Sequence, residues 1–189
     1  MGRRAVVFDR DGTLIDEVGY LDSLDRIRLF PWTVDALRVV HRAGYRLVVV
    51  TNQAGVARGF FDEAFVERTH RWLAERFRAA GVEVDAFYYC PHHPDGQIAP
   101  YRQDCECRKP KPGMLRRAEQ ELDLDLAGSF VVGDRWLDVE LAQRAGARGI
   151  LVRTGYGETE SKRPPPGVTA AAIVPHAFAA ADWILRHGG

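Results

Sequence analysis

Asp9 and Asp11 stand two residues apart in FDRDGT, directly after a short apolar run near the start of the chain. Two carboxyl groups at that spacing can divide a displacement between them. One attacks, and the other gives a proton to the leaving oxygen and later activates water. Two further stretches follow apolar runs of their own: Thr51 and Asn52 in VTNQ, and Asp134 in VVGDRWLD. Singly, an Asp or Asn after a strand is most often a turn residue or a helix cap. Together at one rim the carboxylates would repel one another unless a hard cation lay between them, and Mg²⁺, which takes oxygen ligands, meets that need. Thr51 and a lysine would then hold phosphoryl oxygens as charge moves onto them.

The elements that must bring these residues together are legible as apolar runs alternating with amphipathic ones. Strands are expected over 5–8, 47–50, 86–89, 130–132, 149–152 and 171–174, and helices over 32–43, 62–80, 113–122, 136–145 and 178–186. Strands apolar on both faces, separated by helices, mean a doubly wound α/β fold with a parallel sheet covered on both sides. In such sheets ligands bind outside the carboxyl ends of the strands, which is where Asp9, Asp11, Thr51 and Asp134 fall. No repeat or long linker divides residues 1–189, so a single domain is expected. The four tryptophans, Trp32, Trp72, Trp136 and Trp183, read as packing, and His41, His70, His176 and His187 as solvated or locally bonded.

Composition narrows the classes. The chain has 189 residues, 46% of them hydrophobic, and 26 Lys+Arg against 26 Asp+Glu, which gives no electrostatic reason to expect nucleic acid as a partner. The apolar run near the start is too short for a secretory signal, and nothing reaches the roughly 20 apolar residues of a membrane span. A cytoplasmic monomer with reduced thiols and a small-molecule substrate is the expectation.

The motifs DRDGT, VTNQ, RKPKP and GDRWLD resemble the four signatures of the haloacid dehalogenase superfamily of phosphotransferases. That resemblance implies that Asp9 is the nucleophile and Asp11 the general acid/base, with Thr51 and Lys109 stabilising the transferred phosphoryl group. It also implies Mg²⁺ on Asp9, the backbone carbonyl of Asp11, and Asp134, with Asp138 supporting the loop. Lys111 is the rival to Lys109, which is preferred because it follows the last cysteine in the form CRKP.

All three cysteines lie in CPHHPDGQIAPYRQDCECRKPKPG. An odd number in a reducing compartment argues against a disulfide framework. Zn²⁺ takes four tetrahedral N/S ligands, and Cys90, His92, Cys105 and Cys107 supply them, with His93 as the alternative imidazole. Four ligands close the site, so its role would be structural: a loop over 90–107 that aims Arg108 and Lys109.

This loop, with GYLDSLDRIRLFPW and VTNQAGVARG, looks like that of the heptose bisphosphate phosphatases. The resemblance implies no large cap domain and a phosphorylated heptose as substrate, in nucleotide-activated heptose (lipopolysaccharide) synthesis. Histidinol-phosphate phosphatases, which share the zinc ligands, are the alternative, and a non-catalytic zinc module is a third reading. Without a cap, selectivity falls to loop residues: Glu17, Val18, Gly19 and Tyr20, then Asn52, Gln53 and Ala54, and finally Arg108 and Arg135. Arg108 suits a second, non-reacting phosphate. Arg135 stands where the resembled family commonly has Lys.

Overall fold

The computed structural model describes residues 2–188. Six strands, β1 (Ala5–Phe8), β2 (Arg46–Asn52), β3 (Ala86–Cys90), β4 (Phe130–Gly133), β5 (Arg148–Val152) and β6 (Ala172–Val174), form one sheet in the order β3-β2-β1-β4-β5-β6. Every pairing is parallel. Seven helices connect or flank them: α1 (Thr33–Arg42), α2 (Ala54–Arg58), α3 (Glu63–Ala79), α4 (Gly113–Leu122), α5 (Trp136–Ala145), α6 (Gly157–Glu160) and α7 (Ala177–His187). This is the doubly wound α/β architecture read from the sequence. Between β1 and α1, and between β3 and α4, the chain makes loops with short 3₁₀ turns and no cap domain.

The apolar strands follow from the two-sided burial. Val6 and Phe8 of β1 face one layer, with Leu37 and Val40 of α1, Leu73 and Phe77 of α3, and Ile184 of α7. Ala5 and Val7 face the other, with Leu115 of α4 and Leu141 of α5. The period-two alternation of a strand thus feeds two cores. The chain winds outward from β1 to β3 and then crosses to β4 on the other side of β1. The strand order therefore reverses between β1 and β4, where the crevice of such folds lies.

Helix ends are local chemistry. Asp62 precedes α3 as its N-cap and its side chain accepts from the Phe65 amide at 2.8 Å, so the expected 62–80 helix loses its first and last residues to caps. Trp136 is buried, and Trp32 stacks between Phe30 and His176. His176 caps α7 through Nδ1, a local bond as expected. His70 departs from expectation: it is 7% exposed, because α3 places it on the same stripe as Val66, Leu73 and Phe77.

Candidate active site

β1 delivers Asp9 and β4 delivers Asp134 from adjacent strands, and the first turn of α5 adds Asp138. All three are buried, and a carboxylate oxygen of each lies within 4.8 Å of the others. Lys109 reaches into the group from the far side of the thiol-bearing loop. Its Nζ donates to Asp9 Oδ1 and Asp138 Oδ1 at 2.7 Å each and to the Val50 carbonyl at 3.3 Å. Lys111 does not enter; it pairs at the surface with Asp104. Asn52 and the Lys109 backbone bond reciprocally, Oδ1 accepting from the amide at 3.0 Å and Nδ2 donating to the carbonyl at 3.2 Å. The end of β2 thereby fixes where Lys109 leaves the loop.

Three carboxylates against one ammonium leave surplus negative charge in a poorly solvated place. Burial pushes Asp9 up to about 7, against the pull of Lys109, and Asp134 up to about 9, with Asp9 and Asp138 adding repulsion. Asp134 Oδ2 accepts from the Tyr156 amide at 2.8 Å, whereas its Oδ1 is buried without a partner. Gly12 and Gly155 close over Asp134: a Cβ on either would come within 2.2 or 2.1 Å of Oδ2. An oxygen-only donor set, excess charge and an orphaned carboxylate oxygen fit a hard divalent cation. Asp138 is already engaged, through Lys109 and the Arg135 amide at 3.3 Å. The side chain of Asp11 stands outside the carboxylate group. Its Oδ2 accepts from Thr51 Oγ1 at 3.3 Å and from Gln53 Nε2 at 3.0 Å.

The carboxylates open into a cavity of about 380 Å³. Glu17, Gly19, Tyr20, Asn52, Gln53, Ala54, Arg108 and Arg135 all line it. Val18 does not: its apolar side chain packs against the core. Burial of its apolar surface decides which way Val18 goes. Several further residues line the cavity, among them Arg58, His93 and Tyr156. Arg58, at the end of α2, has its Nε buried without a partner. His93, weighed above only as a zinc ligand, stands in the wall with Nε2 at 3.5 Å from Arg58 Nη2. Tyr156 contributes its amide to Asp134. Among the described residues neither Arg58 nor Arg108 pairs with a carboxylate. Arg108 donates instead to the His92 carbonyl at 3.2 Å, and burial, with Arg58 and Arg135 nearby, holds its guanidinium below its usual range.

The other cluster lies within the loop. Cys90, at the end of β3, His92, Cys105 and Cys107 turn one donor atom each to a common centre. The Sγ–Sγ separations are 3.4 Å (Cys90–Cys105), 3.3 Å (Cys105–Cys107) and 3.0 Å (Cys90–Cys107). His92 Nδ1 stands 3.4 Å from Cys107 Sγ and 3.8 Å from Cys90 Sγ. No disulfide forms, and the cysteines are free. Zn–S bonds near 2.3 Å in a tetrahedron would give edges of about 3.8 Å, so a slight expansion of the cluster accommodates zinc. His93 turns away, its Nδ1 accepting from the Asp95 amide at 3.1 Å.

Sheet order, strand-end carboxylates and buried lysine define a haloacid dehalogenase-like phosphatase, an enzyme that hydrolyses a phosphate ester. Family models agree: one described as polynucleotide kinase 3 phosphatase matches residues 4–142 and one described as HAD-hydrolase-like matches residues 106–180. The D-glycero-beta-D-manno-heptose-1,7-bisphosphate 7-phosphatase of Escherichia coli K12 is 41% identical over 183 residues, covering 96% of this chain and 88% of that protein. The enzyme of the same name from Yersinia pestis is 42% identical over 185 residues, covering 96% and 89%. Among solved structures, the D,D-heptose 1,7-bisphosphate phosphatase from B. bronchiseptica, complexed with magnesium and phosphate, superposes with a TM-score of 0.85 at 33% identity, covering 97% of this chain and 98% of that one. At this identity and coverage the chain belongs to the D-glycero-beta-D-manno-heptose-1,7-bisphosphate 7-phosphatase family.

Proposed function

We propose that this enzyme removes the C7 phosphate of D-glycero-D-manno-heptose 1,7-bisphosphate, leaving the 1-phosphate, through a phosphoryl group carried on Asp9. The observation that carries this reading is the pairing of Asp9 and Lys109 with a cavity whose Arg58 and Arg108 guanidiniums have no carboxylate partner among the described residues. Half-buried cations without counterions suit a substrate with a second anionic group.

Asp9 Oδ attacks phosphorus while the P–O bond to the sugar breaks, and Asp11 gives its proton to the departing C7 oxygen. Asp11 then takes a proton from water, whose oxygen attacks the phosphoryl group on Asp9 and frees the carboxylate. Lys109 Nζ and Thr51 Oγ1 take the phosphoryl oxygens as charge builds on them. Asp9, Asp134 and the Asp11 carbonyl would hold Mg²⁺, supported by Asp138, and the ion supplies charge neutralisation for the incoming phosphate. Cys90, His92, Cys105 and Cys107 would hold Zn²⁺, which would keep the loop in shape.

The test is kcat/KM for the heptose bisphosphate, histidinol phosphate and a small aryl phosphate, in wild type and in Arg108→Ala. Expected is a preference for the bisphosphate, and a variant that loses roughly 10-fold or more on it, the scale of a charge-assisted contact, while the aryl phosphate is cleaved about as before. Preference for histidinol phosphate, or equal losses on both substrates, would overturn the assignment.

A further inference from the structure

Arg10, between the two motif-one aspartates, is the largest fully buried side chain of the protein, at 1% exposure. A guanidinium taken out of water must be fully partnered, because an uncompensated buried charge is strongly destabilising. Its carboxylate partner is Asp11. Nε donates to Asp11 Oδ2 at 3.1 Å, and Nη2 lies 3.0 Å from Oδ2 and 3.1 Å from Oδ1. On the other edge Nη1 is 3.4 Å from His70 Nε2. The His70 ring is stacked on Phe87, with centroids 5.0 Å apart, and edge-on to Tyr89 at 5.7 Å. Burial, reinforced by the Arg10 charge, keeps the ring neutral, so Nε2 has a lone pair to offer the guanidinium. α3 and β3 thus brace Arg10 from behind.

The two oxygens of Asp11 end up with unequal surroundings. Oδ2 faces Arg10 Nε and Nη2, Thr51 Oγ1 and Gln53 Nε2, which fill its lone pairs. Oδ1 is reached by Arg10 Nη2 alone, and the Asp11 side chain, which lines the cavity, keeps 19% exposure. An oxygen crowded by donors has no place for a proton, whereas one with a free lone pair does.

We infer that Arg10 is a positioning residue: braced by His70, it fixes the Asp11 carboxyl so that Oδ1, the less engaged oxygen, is the one through which the proton passes to the leaving group. The inference rests on the proposed role of Asp11 as proton donor. Arg10 touches no reacting atom; it acts through the orientation of its neighbour.

The experiment separates orientation from folding by varying the leaving group. Phenyl phosphate needs a proton on its departing oxygen more than 4-nitrophenyl phosphate does. Arg10→Lys keeps the charge but cannot grip both oxygens. Its kcat/KM should fall on the order of 10²-fold for phenyl phosphate, the scale of misplacing a positioned group, and by only a few-fold for 4-nitrophenyl phosphate. His70→Gln, which leaves Arg10 in place without its brace, should show the same graded pattern at smaller size; it decides the question if Arg10→Lys does not fold. In an Asp11→Asn background Arg10→Lys should add no further leaving-group dependence. Asp11→Asn alone tests the reading beneath: equal losses on both esters in that variant would remove Asp11 as proton donor. If Asp11→Asn shows the graded loss but Arg10→Lys and His70→Gln lower both esters equally or neither, Arg10 is a structural ion-pair partner and the inference fails by itself.

Discussion

The carboxylates at the strand ends and the thiols of the loop are both clusters of metal-ligating groups, yet they are assembled by opposite means. Asp9 and Asp134 are distant in sequence and meet because β1 and β4 pair in parallel with Phe8 opposite Val132. Sheet hydrogen bonds and two apolar cores fix them whatever lies between them, and Lys109 relieves part of their repulsion. Cys105 and Cys107 belong to no strand or helix, and only Cys90 is anchored by the sheet. Both pack at the margin of one apolar core, and their donor atoms meet those of Cys90 and His92 at one centre. A scaffold of strands can keep an open site with an unsatisfied oxygen, while a loop needs a closed, saturated one.

The largest effect should come from the sheet-held side. Asp9→Asn removes the attacking oxygen, and turnover should fall to background, while Lys109 keeps Asp138 as partner and the fold and zinc content stay unchanged. Substantial turnover by the purified variant would break the contrast, since the rigid cluster would then not be the reacting one. Next in size is the loop. Cys107→Ala should lower zinc to well below one per chain by elemental analysis, and cut kcat/KM by roughly 10²-fold on every phosphate ester, because Lys109 follows two residues later. Brief EDTA treatment followed by Mg²⁺ alone should restore wild type but not this variant. A zinc-free variant with full activity would show that the loop needs no metal to aim Lys109.

The smallest effect concerns the sheet-held side again. His70, normally near 6.5, is pushed down to about 3 by burial and then by the Arg10 charge. A depressed histidine stays neutral when folded and gains a proton when unfolded, so its contribution is complete above about pH 6.5 and drains as pH falls toward 3. Urea unfolding should lose about 1.6 kcal/mol between pH 6.5 and pH 5 from this one group, the slope rising toward about 1.4 kcal/mol per unit as the unfolded ring fills. His70→Gln should flatten that part of the curve. Parallel curves for the two proteins would assign the acid sensitivity elsewhere.

What the sequence disclosed and what it hid divide along physical lines. β1 and β4 are apolar at every position because both faces are covered, so they and the acidic residues beyond them were legible. The cysteine loop was legible because its donor chemistry is written in residue types. Arg58 was not: α2 has five residues, too few to show a period, and the capping Gly59 was the one local mark of its end. The contribution of Tyr156 is a backbone amide, which no side chain announces. Val18 is expected at the site from its place in the 17–20 loop and His70 in solvent from its residue type, whereas neighbours set the face of each: Glu17 lines the cavity beside Val18, and His70 lies on the buried stripe of α3. The Asp11 carboxylate lines the cavity, and its engagement by Arg10 rests on a side chain that composition alone would have put at the surface.

The glycine pair over Asp134 has a consequence for where this chain can be cut. Thr154 Oγ1 donates to the Gly12 carbonyl at 2.6 Å, and the Tyr156 amide holds Asp134, so the segment after β5 is stitched to the motif-one turn. A fragment ending at residue 142 would carry Asp9, Asp11, Asp134, Asp138, Lys109 and all the thiols, yet leave Asp134 without its amide donor and Gly12 without its neighbour. The last quarter of the polypeptide is therefore no appendage that engineering can trim or exchange; it is the keystone that closes a site whose visible chemistry lies elsewhere.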